Sequence, residues 1–177
     1  MSIVKISKFL SFVLRHKPEA IGLTLDKEGW AEVSEIIAKA DIAITQAQIE
    51  EAVATSDKQR FALSDDMRRI RANQGHSVKV DLGLKPLMPP VQLFHGTATR
   101  FVEPILIAGL LKQARQHVHL STDLEAASKV GVRHGKLAIF QVRALEMYEE
   151  GHRFYLSKNG VWLVEHVPVG FLDLQHD

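Results

Sequence analysis

The chain contains no cysteine, which excludes disulfide bridges and thiolate metal sites. No apolar run approaches the ~20 residues that a membrane-spanning helix needs. The opening MSIVKISKFL lacks the apolar core and small-residue cleavage site of a secretory signal. These absences point to a cytoplasmic protein with no membrane association. Internal repeats and low-complexity tracts are missing as well. An excess of one charge sign is also lacking: 22 Lys and Arg stand against 21 Asp and Glu, a net charge of +1, which excludes a uniformly basic nucleic-acid binder. What remains is a 177-residue chain, 46% hydrophobic and 24% charged, long enough to bury a core as one domain or two small ones.

The positive charge that is present is local. Residues 58–79 hold six Lys or Arg against two Asp, and MRRIR (67–71) places three arginines within five residues. A basic strip on a neutral body suits one addressed phosphate better than general adhesion.

Two lobes with different patterning are expected. In residues 3–14, Ile3, Ile6, Phe9, Leu10 and Val13 have helical spacing, and Pro18 halts the pattern. Val33, Ile36, Ile37 and Ala40 mark a second helix. Thr45-x-x-Gln48 opens a third as a capping box. Two short strand-like runs around Ser64-Asp65-Asp66 read as a hairpin. Three helices and a hairpin give a winged helix-turn-helix pattern over residues 1–80. Residues 81–90, with three prolines, read as a linker. Beyond it, 91–95, 117–121, 137–142, 152–157 and 161–167 are candidate strands. Asn159-Gly160 is a hairpin signal between the last two. Helices are expected at 104–111 and at 123–130, the latter opened by Thr122-x-x-Glu125. The fold class is therefore α+β, with a mostly antiparallel sheet in residues 91–177.

If residues 68–73 form a strand, alternation puts Arg69, Arg71 and Asn73 on one face. Guanidiniums about 7 Å apart on one face can fork onto a single phosphate. The following NQGHS supplies neutral donors in Gln74, His76 and Ser77 and a turn at Gly75, a set suited to phosphate and sugar. Arg15 and His16 in LRHKP also suit an ordinary helix C-terminus. Arg133, between two glycines, likewise suits a helix stop. His117 and His119 are two apart on a strand, but no acidic partner pattern accompanies them, so no metal site is expected.

Taken together, LSFVLRHKP, LTLDKEGWAEVSEII, RIRANQGHS, LFHGT, RQHVHLS, VGVRHGK and FYLSKNGVWLVEHVP resemble the RNA 2′-phosphotransferase family, the eukaryotic tRNA 2′-phosphotransferase and its bacterial and archaeal KptA relatives. The resemblance implies a winged-helix RNA-side lobe, an ADP-ribosyltransferase-like lobe and consumption of NAD⁺ as co-substrate. It implies a catalytic set of Arg15, His16, Arg71 and Arg133, with Arg69 as a basic neighbour, beside which Gln74, His76 and Ser77 are the donors expected toward the RNA. It places His95, Gly96, Thr97 and His119 at the nicotinamide riboside, and adds Arg115, Ser121 and Ser128 as NAD⁺ contacts. Phe94 stands where the family commonly has tyrosine, and Leu137 where proline is frequent.

The implied substrate is a tRNA-like RNA carrying an internal 2′-phosphate, with no obligate protein partner. The site is expected in the cleft between the lobes. Arginine suits such a phosphate because it forks onto oxygens and stays charged. The late strand GVWLVEH, where many ADP-ribosyltransferases carry a catalytic glutamate, is hydrophobic at Val161 to Val164, and a carboxylate there would repel the phosphate. Glu165 lies next in sequence. Two other readings are weighed. A DNA-binding regulator is disfavoured by a third helix that has Glu50 and Glu51 and no arginine. A one-step ADP-ribosyltransferase would stop at an ADP-ribosylated product.

Overall fold

The structure, a computed structural model, describes residues 1–175, which form two compact units, Met1–Gly83 and a second that begins at Leu84.

In the first unit, α1 (Ile3–Arg15) turns Ile6, Leu10, Val13 and Leu14 fully inward, the stripe that its spacing predicts. Ser2 caps it by accepting from the Lys5 N–H. A 3-10 turn at Pro18–Ile21 follows. Strand β1 (Ala31–Glu32) leads into α2 (Val33–Lys39). Helix α3 (Gln46–Ala54) opens with the full capping box of Thr45 and Gln48. Strands β2 (Phe61–Leu63) and β3 (Arg69–Ala72) form the hairpin. The sequence pattern shows only this hairpin, but the sheet has three strands in the order β1-β3-β2. Ala31 pairs with Ile70, and Glu32 with Arg69. Ile70 and Ala72 enter the core with Phe61, Ile36 and Ile49. Each large aliphatic chain buried there stabilises by roughly 1.5–3 kcal/mol.

The second unit contains β4 (Leu93–Ala98), α4 (Val102–Ala108), β5 (Leu110–Leu111), β6 (Val118–Leu120), α5 (Leu124–Gly131), β7 (Leu137–Val142), α6 (Ala144–Glu149), β8 (Phe154–Leu156), β9 (Trp162–Val164), β10 (His166–Val167) and β11 (Leu172–Gln175). Its sheets run β11-β7-β4, β6-β9-β8 and β10-β5. Every one of these pairings is antiparallel. Asn159 and Gly160 lie in the turn between β8 and β9, with Gly160 at φ +81. Phe140, Val142, Leu93, Leu120, Met147 and Phe154 lead its core.

Several boundaries differ from expectation. The helix expected at 104–111 ends at Ala108, because Gly109 turns the chain at φ +79 where a Cβ would lie 2.2 Å from the Val167 carbonyl oxygen. Leu110 and Leu111 then pair with Val167 and His166. The strand expected at 161–167 is interrupted at Glu165. The strand expected at 91–95 begins at Leu93 and continues to Ala98. Helix α5 is capped by Asp123, which accepts from the Ala126 N–H at 2.6 Å, one residue later than the Thr122 box.

Candidate active site

The end of α1, strand β3 and residues 73–78 converge within the first unit. Arg15 and His16 close α1, and the chain after β3 folds back onto them. The N–H groups of Ser77 and Val78 donate to the Arg15 carbonyl at 2.9 and 3.2 Å. His16 Nδ1 lies 2.9 Å from Ser77 Oγ, and Ser77 Oγ–H reaches toward the Arg15 carbonyl at 3.4 Å. Using both contacts puts a proton on His16 Nδ1, which donates to Ser77. Gly75 adopts φ +89, and a Cβ there would stand 3.4 Å from the Arg15 Cζ. Glycine therefore permits the left-handed turn, which brings the backbone against the Arg15 guanidinium.

On β3, alternation works as expected: Ile70 and Ala72 face the core, and Arg69 and Arg71 share the other face. Arg69 is exposed, but Arg71 is only 7% exposed, and its buried Nε has no hydrogen-bond partner. Its nearest carboxylate, Glu28, stands 4.0 Å from Nη1, beyond hydrogen-bonding distance. Asn73 is also buried, with its amide donating to the Gln59 carbonyl at 2.6 Å and its own Oδ1 unpartnered. Gln74 Oε1 is likewise buried and unpartnered. His76, expected to face RNA, is instead 2% exposed, with Nε2 buried and without a partner. Burial, followed by the charges of Arg15, His16 and Arg71, pushes its pKa down to about 4. His76 is therefore a neutral ring beneath a cluster of cations.

Sequence reasoning missed the loop at residues 26–30. The Arg71 and Arg69 guanidiniums lie over the Trp30 ring, at 4.7 and 5.3 Å from its centroid. Asp26 Oδ2 stands 3.7 Å from Arg69 Nη1. The only local signal was the turn-like DKEGW; its partnership with β3 is long-range.

In the second unit, β4 carries His95, Gly96 and Thr97. The His95 Nδ1–H donates to the His119 carbonyl at 3.0 Å, which settles its tautomer, and burial lowers its pKa. Arg115 Nη1 donates to His119 Nδ1 at 3.1 Å, placing the imidazole proton of a neutral His119 on Nε2. Ser121 exchanges both backbone hydrogen bonds with Phe94, at 2.8 Å each. His95, Arg115, His119 and Ser121 are thus brought together across β4 and β6. Thr97 is buried. Gly96 has a packing reason of its own: a Cβ would lie 1.7 Å from the Ala127 carbonyl oxygen, where β4 lies against α5. The Ser128 hydroxyl donates to its own helix at the Leu124 carbonyl, 2.7 Å away. Arg133 is exposed in the 3-10 turn Val132–His134. Glu165 is largely exposed and bridges to Lys112. His117 packs against Tyr155, and among the described residues no three His, Cys, Asp or Glu groups gather to hold a metal ion.

The arginines and histidines gathered in the first unit belong to a chain that matches one family over most of its length. The description "RNA 2′-phosphotransferase, Tpt1 / KptA family" matches residues 1–166. The chain is 58% identical to the "Probable RNA 2′-phosphotransferase" of Agrobacterium fabrum, over 97% of this chain and 94% of the relative. It is 55% identical to the protein so named in Hahella chejuensis (95% and 92% covered) and 53% identical to that of Acaryochloris marina (94% and 93%). The chain belongs to the RNA 2′-phosphotransferase, Tpt1/KptA family.

Proposed function

We propose that the protein removes an internal 2′-phosphate from RNA in an NAD⁺-consuming, two-step transfer. The observation that carries this reading is the Arg71 guanidinium, buried yet with Nε unpartnered and its nearest carboxylate 4.0 Å away, acting on the buried His76 together with Arg15 and His16. A buried donor left unsatisfied costs about 1–3 kcal/mol, which a phosphate oxygen would recover. The carboxylates that ion-pair with Arg69 and Arg71, Asp26 and Glu28, are largely exposed and belong to one loop.

In the first step a 2′-phosphate oxygen attacks the anomeric carbon of the nicotinamide riboside, and the bond to nicotinamide breaks. The nucleophile is already anionic, so this step asks for orientation more than for a base. In the second step the neighbouring 2″-hydroxyl attacks phosphorus, and the bond to the RNA 2′-oxygen breaks. The products are 2′-hydroxyl RNA, nicotinamide and ADP-ribose 1″,2″-cyclic phosphate. Arg15 and Arg71 hold the phosphate and stabilise the charge that builds on its oxygens. Arg133 is the fourth member of the proposed catalytic set. His16, held through Nδ1 by Ser77, donates to the phosphate or moves the proton of the second step. Arg69, Gln74 and Ser77 serve the RNA, with His76 supporting them from beneath.

NAD⁺ supplies an electrophilic carbon with a good leaving group. The groups on and beside β4 and β6 suit it: His95, whose Nδ1–H is spent on the His119 carbonyl and whose Nε2 is an acceptor, the Arg115–His119 pair, buried Thr97, and Ser121. Gly96 and Ser128 complete the proposed NAD⁺ residues. On this reading the first unit is a winged-helix RNA-side lobe and the second an ADP-ribosyltransferase-like lobe.

The test is a short end-labelled RNA with one internal 2′-phosphate, incubated with the protein with and without NAD⁺. Phosphate loss only with NAD⁺, together with the cyclic phosphate, is expected. A product halted at ADP-ribosylated RNA would replace this reading with a one-step transferase, and phosphate loss without NAD⁺ would refute the co-substrate.

A further inference from the structure

Trp30 stands directly across the sheet from the arginine strand. With Ala31 opposite Ile70 and Glu32 opposite Arg69, the antiparallel register continues to set Trp30 opposite Arg71. Cross-strand neighbours share a face, and a large side chain also reaches the diagonal position. One indole ring therefore meets both guanidiniums, Arg71 at 4.7 Å and Arg69 at 5.3 Å from its centroid, within the range of cation–π attraction.

The backbone that carries the ring is tied down by hydrogen bonds. Asp26 Oδ1 accepts from the N–H groups of Glu28 and Trp30 at 2.9 Å each. The Asp26 N–H donates to the Trp30 carbonyl at 2.9 Å, and the Asp81 N–H to the Lys27 carbonyl at 2.7 Å. Gly29 turns the loop at φ +85, backed by His76 Nε2 and Val80 at 3.4 Å from where a Cβ would stand.

The same loop carries the two carboxylates that stand within 4.0 Å of these guanidiniums. Glu28 stands 4.0 Å from Arg71 and Asp26 3.7 Å from Arg69, close enough to attract but not to hydrogen-bond. A flexible arginine freed from its ring could swing onto either carboxylate, and its charge would then be spent within the protein. An aromatic face attracts a guanidinium without occupying its N–H donors.

We propose that Trp30 is a positioning residue, which holds Arg71 and Arg69 with their donors directed to the RNA 2′-phosphate and away from Glu28 and Asp26. This rests on the proposed function and adds a residue that sets the site's preference for a phosphorylated 2′ position.

The experiment compares binding of one short RNA in 2′-phosphorylated and 2′-hydroxyl forms to wild type, Trp30→Phe, Trp30→Leu and Trp30→Leu/Glu28→Gln, with melting temperatures for each. Trp30→Leu is expected to reduce the preference for the phosphorylated RNA about tenfold, a change of the size of one desolvated cation–π contact. Trp30→Phe should retain most of it. Adding Glu28→Gln to Trp30→Leu should restore about threefold or more, a coupling that a purely structural role would not produce. Should Trp30→Leu not fold, wild-type tryptophan fluorescence decides: it should change saturably with the phosphorylated RNA alone, and Trp30→Phe should abolish that change. Undiminished preference in folded Trp30→Leu, no recovery on adding Glu28→Gln, or a fluorescence change that survives in Trp30→Phe would overturn the proposal. A wild type with no preference for the phosphate would instead overturn the functional reading beneath it.

Discussion

His16 Nδ1 lies 2.9 Å from the hydroxyl of Ser77, 61 positions later in the chain. The Ser77 N–H donates to the Arg15 carbonyl at the same distance, so one serine ties down both the ring and the backbone at the end of α1. This sets the rotation of the imidazole at a helix end that would otherwise fray.

Replacing Ser77 with alanine should therefore lower kcat about three- to tenfold, the loss expected for one orienting hydrogen bond, beside a rise in KM for RNA from the loss of its proposed RNA contact. Steady-state kinetics check this, and a change confined to KM would show that Ser77 serves RNA binding alone.

His76 should make stability depend on pH. Burial holds its folded pKa at about 4, below the ordinary imidazole value of 6.5, so the fold favours the neutral ring. The contribution is fully present above pH 6.5 and is lost as pH falls from there through about 4, where the unfolded chain takes up the proton first. It amounts to roughly 3 kcal/mol at most. Thermal melts between pH 7 and 4 should show this fall, and His76→Leu should flatten it. His95 and His117, also lowered chiefly by burial, add a slope of the same sign, so the variant's curve should become shallower but not level.

Gly96→Ala should destabilise the second unit by about 3 kcal/mol or more, because its Cβ would meet the Ala127 carbonyl oxygen at 1.7 Å and backbone must move to admit it. Gly170→Ala, where no atom lies within 4 Å of the added Cβ, serves as the control and should change stability by less than about 0.5 kcal/mol. Denaturant unfolding of both variants checks the pair.

What could be read beforehand was local. The Thr45–Gln48 box, the Asn159-Gly160 turn and the alternation of Arg69, Ile70, Arg71 and Ala72 each depend on a few neighbouring residues. The misplaced features depend on distant ones. Nothing near Leu110 and Leu111 announces that they pair with Val167 and His166. Two polar residues in succession, Thr122 and Asp123, compete for one cap, and the carboxylate takes it. His76 looked like an RNA donor because it lies among polar neighbours, yet the return of residues 73–78 onto α1 buries it. Trp30 belongs to the site only through a two-residue strand, too short to leave a period.

Glu165 sits next to the hydrophobic run of β9, where a catalytic carboxylate would be unwelcome beside a phosphate. It is largely exposed and bridges to Lys112. Glu165→Gln should leave turnover within about twofold of wild type, since an exposed pair contributes little. A loss of about tenfold or more in the same assay would give Glu165 a chemical role.

The measurement that bears most directly on the phosphate site is the turnover of Arg71→Ala and Arg71→Lys on RNA with a single internal 2′-phosphate and NAD⁺, each beside its melting temperature. Arg71 is buried, its Nε is unpartnered, and its guanidinium is held over Trp30. Arg71→Ala should lose about a hundredfold or more in kcat, the scale of removing one preorganised charge from a transition state. Lysine should not restore it, since a point charge cannot fork onto two oxygens. Turnover by a folded Arg71→Ala within a few-fold of wild type would contradict this placement of the 2′-phosphate.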